Sequence, residues 1–178
     1  YCILKSRYKK SEAKEKRGNF DYVYDYESLS TFKGKKLSGQ RNHVNKFKKT
    51  YPNYKFNILT EQDLPRVKEF LDKFYIDFTE KTDGHVSSWT EKKERDRAYG
   101  FIEKAVQKNL CAGYIEIDGV MAGLSVAEKR KDVLIVHIEK ALKDYDGIYP
   151  TLASETVKAF ADETINRTNR EEDCGDEG

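Results

Sequence analysis

Apolar residues recur along the chain with two different spacings, one typical of strands and one typical of helices. Loose alternation of aromatic and polar residues predicts strands at 20–25 and 54–59. Between these two strands, apolar residues at helical spacing predict a basic helix over 37–50, and Pro52 prevents its continuation. The first third of the chain is therefore expected to fold as strand, helix, strand.

Two longer helices are predicted next. Thr60 and Asp63 are residue types that favour a helix start. The first helix has one apolar stripe, formed by Leu64, Val67, Leu71, Phe74 and Phe78. After a polar loop at 80–88, Ser88 and Glu91 match a capping box. The second helix has an apolar face made of Ala98, Phe101, Ile102, Ala105 and Val106.

The last third predicts an antiparallel meander. Its strands cover 111–117, 120–129 and 133–140, and Asp118-Gly119 forms the first hairpin turn. A helix over 148–161, a short strand at 164–166 and an acidic loop follow. This order of elements predicts an α+β fold with one mixed sheet and flanking helices.

Composition agrees with a folded domain. The chain has 178 residues, and its 12 Tyr and 9 Phe argue against disorder. No apolar run approaches the roughly 20 residues that a membrane-spanning helix needs. The three cysteines are far apart, which predicts free thiols in a reducing, cytoplasmic setting. Because the three histidines have no paired spacing, no metal site is expected.

Charge is segregated although the net charge is only +2. Residues 28–60 contain no Asp or Glu, which predicts an anion-binding surface. Its candidate residues are Lys35, Lys36, Arg41 and Lys46. The alternative is that this segment pairs with acidic residues elsewhere in the fold, and the sequence leaves both readings open.

Three runs resemble a known family. They are residues 34–49 (GKKLSGQRNHVNKFKK), residues 136–149 around VHIEKA and DYDGIY, and residues 169–178 (NREEDCGDEG). They are similar to the C-terminal domain of phosphatidylglycerol lysyltransferases. The resemblance implies a Gcn5-related N-acetyltransferase-like mixed sheet with flanking helices over 19–178, and the family's pattern continues beyond Gly178. It also implies that 1–18 is a linker or the tail of a preceding sister domain.

The resemblance adds weight to a cluster on the third meander strand. His137 and Glu139 are two residues apart and are expected on one sheet face, with Glu128 as their neighbour across the strands. A histidine and two carboxylates could hold a cationic amine and remove its proton. The alternative is a solvent-exposed face on which Glu128 and Glu139 pair with Lys129 or Lys140.

The acidic run near the end is expected to join this site. Asp173 is a candidate catalytic residue, and the substrate-binding candidates are Asn169, Arg170, Glu171 and Glu172. Crowded carboxylates need a positive partner, which an amine substrate would supply. Arg41 or Lys46 of the basic helix could supply it instead, and the sequence does not decide between them.

The family's characterised members transfer an aminoacyl group from aminoacyl-tRNA to a lipid headgroup. The resemblance thus implies an acyltransferase with tRNA or another polyanion as a partner, and a small amine or lipid headgroup as acceptor. Residues 143–149 hold one glycine where a coenzyme A loop has several, which favours aminoacyl-tRNA over acetyl-coenzyme A. The alternative is a non-catalytic module that binds RNA or anionic headgroups through the basic helix.

Overall fold

The computed structural model describes residues 21–81 and 88–172. The strands are β1 (Asp21–Asp25), β2 (Lys55–Ile58), β3 (Cys111–Ile117), β4 (Val120–Arg130), β5 (Val133–Ala141) and β6 (Arg167–Glu172). The helices are α1 (Tyr26–Thr31), α2 (Ser38–Thr50), α3 (Leu64–Lys81), α4 (Ser88–Gln107) and α5 (Ile148–Phe160). The predicted segment 1–18 lies outside the described residues.

The six strands form one sheet in the order β1-β6-β5-β4-β3-β2. Every neighbouring pair is antiparallel except β5 and β6, which are parallel. The mixed sheet and the meander are therefore confirmed, including the hairpin turn at Asp118-Gly119. Strand β6 adds to the open side of the meander, beside β5.

Helices cover both faces of the sheet. On one face, α3 and α4 contribute buried residues such as Val67, Phe70 and Ile102 to a core with β3 and β4. On the other face, α1, α2 and α5 pack on the strands through residues such as Leu29, Phe47 and Leu152. The fold class predicted from the sequence, a mixed sheet with flanking helices, is confirmed.

Helix starts follow the side-chain chemistry of their first residues. Thr60 and Asp63 form the reciprocal hydrogen bonds of a capping box around a single 3-10 turn that leads into α3. The short helix α1 was not predicted. It begins because the carboxylate of Asp25 accepts hydrogen bonds from the backbone N–H and the hydroxyl of Ser28.

The prediction for the last strand was wrong in position. The chain at 164–166 forms a turn and a short connection, and β6 begins only at Arg167, so it includes part of the predicted acidic loop. The backbone N–H groups of Asn166 and Arg167 both donate to the carbonyl of Asp132, and Ile165 is buried. These contacts fix where β6 enters the sheet, and they carry no signal in the apolar pattern.

A β-bulge interrupts β5 at His137. Val126 lies opposite Ile138, and the next residue, Ala127, lies opposite Val136, so His137 has no partner on β4. Before the bulge, Val136 faces α5; after it, Ile138 faces α3 and α4. The bulge thus changes which residues of β5 point to each face.

Candidate functional site

The candidate site lies where β5 and β6 stop pairing. Their in-register pairing covers only Val133 to Ile135 on β5, and it ends at Ile135 and Asn169 although both strands continue. Side chains then bridge the two strands on both faces of the sheet. We call this opening between the two parallel strands the wedge.

On the α4 face, His137 bridges β4 and β6. Its Nδ1 lies 2.9 Å from a carboxylate oxygen of Glu171, and its Nε2 lies 3.3 Å from one of Glu128. Both ring nitrogens can donate at once only when the imidazole carries two protons. The ring also packs edge-to-face on Phe101 of α4, with centroids 5.7 Å apart. His137 therefore bridges a carboxylate on β4 and a carboxylate on β6.

The neighbourhood of Glu128 keeps this carboxylate ionised. Its second oxygen accepts a hydrogen bond from Nε of Arg130 at 3.0 Å. The hydrogen bonds from Arg130 and His137 hold the pKa of Glu128 below its usual value. The expected proximity of Glu128 to His137 is confirmed, and neither Lys129 nor Lys140 pairs with Glu128.

Glu139 lies on the opposite face, so the prediction that it shares a face with His137 was wrong. The bulge at His137 removes the two-residue alternation on which that prediction rested. Glu139 accepts two hydrogen bonds from Arg170, at 2.9 and 3.1 Å, and its side chain is largely buried. Burial raises the pKa of Glu139, and the guanidinium of Arg170 acts in the opposite direction. This pair closes the wedge on the α5 side.

A groove of about 770 Å³ opens beside the His137 cluster. It is lined by Asp21, Glu128, Arg130, Ile135, His137, Asn169, Arg170 and Glu171. Sequence reasoning missed Asp21, Arg130 and Ile135, because nothing in the chain pattern gives the antiparallel pairing that brings β1 beside β6. It also missed the role of Phe101, which is 41% exposed and flanks His137 rather than the core.

The groove carries an excess of negative charge. Arg170 is neutralised by Glu139, which leaves three carboxylates, those of Asp21, Glu128 and Glu171, against the guanidinium of Arg130. Asp21 has no basic partner in the described part of the chain; its carboxylate accepts only the amide of Asn169, at 2.7 Å. A cationic group entering the groove would therefore meet an unpaired carboxylate.

The substrate-binding candidates of the acidic run separate into different environments. Asn169 joins β1 to β6 through Asp21, and its side-chain oxygen accepts the backbone N–H of Glu171 at 2.7 Å. Glu171 adopts a left-handed backbone conformation, with φ of 56°. Glu172 lies opposite Asp21 in the strand pairing, and Asp173 lies outside the described residues. The catalytic role of Asp173 stays a prediction.

The basic segment is partly paired internally. Arg41 donates to the carbonyl oxygens of Phe32 and Gly34, and Lys46 pairs with Asp146 at 2.6 Å. Lys35 and Lys36 are exposed and form no ion pair within the described residues. Arg41 and Lys46 therefore have structural contacts, and neither pairs with the described part of the acidic run.

The loop at 143–149 is filled by the protein's own backbone. A side chain at Gly147, whose φ is +81°, would come within 2.5 Å of the carbonyl oxygen of His43 on α2. Asp146 sits just before α5 and pairs with Lys46. A carboxylate and a closely packed helix thus occupy the approach to the start of α5.

The described residues contain neither a metal-binding cluster nor a membrane-spanning helix. They contain no group of three or more His, Cys, Asp or Glu side chains arranged to hold a metal ion. Among the helices described, none has the length and apolar character needed to cross a membrane.

Comparison with known proteins decides the family. The model of the family "Phosphatidylglycerol lysyltransferase, C-terminal" matches residues 4–175, which is nearly the whole chain. The chain belongs to this family. The family supports an acyltransferase-like function. A search of curated proteins found no match.

Solved structures give the same fold. A conserved protein of unknown function from Bacteroides thetaiotaomicron is 29% identical with a TM-score of 0.74, over 93% of this chain and 54% of that chain. The L-PGS of Bacillus licheniformis is 14% identical with a TM-score of 0.57. The C-terminal domain of a putative lysylphosphatidylglycerol synthetase from Agrobacterium fabrum is 10% identical with a TM-score of 0.51. The last two comparisons each cover 85% of this chain and 46% of the other, so the chain spans about half the length of these relatives.

Proposed function

We propose that this chain is the transferase domain of an enzyme that moves an aminoacyl or other acyl group to an amine or hydroxyl acceptor. The observation that carries the proposal is the groove beside the wedge between β5 and β6, with His137 held between two carboxylates. Acyl transfer needs an acceptor that loses a proton and a place for the acyl carbonyl. A carboxylate-lined groove beside unpaired strand backbone supplies both.

Roles follow from the contacts. Asp21, which has no basic partner in the described residues, is proposed to bind the ammonium of a cationic substrate. Glu171, oriented by His137 and by the amide of Asn169, is proposed to take the proton of the acceptor. Glu128 and His137 are proposed as positioning residues, since both oxygens of Glu128 and both ring nitrogens of His137 are bonded to protein groups, whereas Glu171 uses only one carboxylate oxygen in this way. Glu139 is proposed to fix Arg170 across the wedge, and so to act structurally.

An aminoacyl donor fits these residues better than an acyl-coenzyme A. Phosphates placed at the start of α5 would meet the carboxylate of Asp146 and the closely packed backbone of His43. An aminoacyl group carries an ammonium, which the acid-rich groove favours. Two relatives are named as lysylphosphatidylglycerol synthetases, or L-PGS, which is consistent with aminoacyl-tRNA as donor and a lipid headgroup as acceptor.

A transfer assay tests the proposal. tRNA charged with radiolabelled lysine is incubated with the protein and either phosphatidylglycerol vesicles or a mixture of soluble amines. In a parallel series, acetyl-coenzyme A replaces the charged tRNA as donor. We expect label to leave the tRNA and appear in one acceptor class. If neither donor loses its acyl group with any acceptor, the proposed transferase function fails.

Three variants test whether the residues of the groove carry the transfer activity. Glu171→Gln should slow transfer by about 100-fold or more, the range typical of a lost general base. Asp21→Asn should raise KM for a cationic substrate more than it lowers kcat. Glu163→Gln, an exposed carboxylate outside the groove, is the matched control and should leave transfer unchanged. Equal activity in all three variants would remove the groove from the mechanism.

A second function, binding of a polyanion without catalysis, is favoured by the exposed lysines around α2. Lys35, Lys36 and Lys49 have no ion pair within the described residues. Each phosphate they neutralise should add about 0.7–0.9 to the slope of log affinity against log salt. Binding of uncharged tRNA that weakens steeply with salt, in a protein without transfer activity, would support this function over the first.

A further inference from the structure

Lys140 is half-buried, and its ammonium contacts no carboxylate among the described side chains. It lies on β5 opposite Leu124, on the face covered by α3 and α4. Its Nζ is 4.6 Å from the ring centroid of Phe74 and 5.1 Å from that of Tyr75, both on α3. Its ammonium forms no hydrogen bond or ion pair with the residues whose side chains are described, 21–76 and 92–171.

The other lysines of the described chain are exposed, paired with a carboxylate, or both. Lys48, which is also half-buried, pairs with Glu155 at 3.1 Å. Lys46 and Lys129 are exposed and pair with Asp146 and Asp162 at 2.6 and 2.7 Å. Lys35 and Lys36 are exposed and unpaired, so water solvates their charge fully. Only Lys140, among the described lysines, combines partial burial with the absence of a carboxylate contact.

The charges around Lys140 come from few elements. Among the described side chains, the one carboxylate that acts on it is that of Glu94 on α4, at a distance rather than through a contact. The two aromatic rings stabilise the ammonium, whereas removal from water destabilises it. Burial has a larger effect than the charge of Glu94, and it lowers the pKa of Lys140. A larger share of this amine is therefore neutral near pH 8 than for a solvated lysine.

We propose that Lys140 is a site of N-acylation by activated acyl compounds such as acyl phosphates, thioesters and esters. The neutral amine attacks the carbonyl carbon, an amide C–N bond forms, and the bond from carbon to the leaving group breaks. The leaving group departs with the electron pair of that bond, and one amine proton is released to solvent. The product is a neutral amide between Phe74 and Tyr75, so the modification removes a positive charge from the sheet face that also carries His137.

Competitive labelling tests this site independently of the transferase function. The folded protein is treated with a limiting amount of N-acetoxysuccinimide at several pH values, and rates at individual lysines are measured by peptide mass spectrometry. We expect Lys140 to react severalfold faster than Lys35 and Lys36, with its rate rising at lower pH than theirs. Because neutral amine increases about tenfold for each unit that the pKa falls, this pH displacement reports the burial directly. The advantage should disappear in urea.

Two variants on α4 test whether the charge near Lys140 determines its rate of acylation. Glu94→Gln removes a carboxylate that favours the ammonium, so it should raise the rate at Lys140 and leave the rate at Lys35 unchanged. Asp96→Asn, also on α4, is the control and should change neither rate. A rate at Lys140 equal to or below those of Lys35 and Lys36 in the folded protein would overturn the proposal, as would a pH profile that coincides with theirs.

Discussion

His137 shows how one residue can determine the geometry of a site. As the extra residue of a bulge, it points toward α4, where its two ring nitrogens reach carboxylates on two different strands. Its neighbours Val136 and Glu139 point to the other face of the sheet. A single unpaired backbone position therefore decides which carboxylates share the groove and which one is used structurally.

Arg41 illustrates a basic residue whose work is structural. Its guanidinium donates to the carbonyl of Phe32 at 2.7 Å, and Phe32 is a buried residue held at a positive φ of 51°. Arg41→Ala should lower the free energy of unfolding by about 1–2 kcal/mol, since hydrogen bonds from charged groups are lost. Lys35→Ala, at an exposed position, should change it by less than about 0.5 kcal/mol. Urea denaturation of both variants measures the difference, and equal effects would contradict this role.

Asp63 makes stability depend on pH in a defined direction. Burial acts to raise the pKa of Asp63, but hydrogen bonds from Thr60 and Tyr114, with the charge of Arg66, outweigh it and hold the pKa below 3.8. A depressed pKa stabilises the fold above the unfolded-state value, and that stabilisation is lost as the pH falls through the folded-state value. The stability gap between wild type and Asp63→Asn should be constant at neutral pH and narrow below pH 3.8. A gap that widens in acid would contradict this assignment.

At the scale of elements, the contact between α2 and the start of α5 fixes one end of the site. Gly147 and Gly119 have nearly equal positive φ, +81° and +82°, but a Cβ would meet His43 only at Gly147. Gly119→Ala should cost about 1–2 kcal/mol from backbone strain alone. Gly147→Ala should cost about 1–3 kcal/mol more, because α2 must move. The difference between their urea midpoints measures the packing contribution. Equal losses of stability would contradict this account, because they would show that α2 moves at no cost in free energy.

The elements that the sequence could predict are those with strong local patterns. Strands β3 to β5 and helix α5 carry strong local signals, namely alternation, an Asp-Gly turn and a helical stripe, and their positions are confirmed. The exposed position of Phe101 was not predictable, since an aromatic residue at helical spacing is typical of a core face. The bulge at His137 and the start of β6 depend on pairing between distant strands, which leaves no local pattern.

For the whole molecule, the groove is assembled from β4, β5 and β6 of the last third of the chain and from β1, which is far from them in sequence. The family resemblance correctly indicated the fold. It could not indicate Asp21, because that residue enters the site only through the pairing of the first and last described strands. The proposal that the substrate is cationic therefore rests on the carboxylates that this groove brings together, and on no single sequence motif.

Titration with a non-reactive substrate analogue tests the central claim most directly. Lysinamide, which carries the ammonium groups of a lysyl group without a cleavable ester, is added to isotope-labelled protein while backbone NMR signals are followed. We predict saturable shifts centred on Ile135, His137 and Asn169, and weaker affinity in Asp21→Asn. Shifts confined to α2, or no saturable shift at the groove, would contradict the assignment of the wedge between β5 and β6 as the site of acyl transfer.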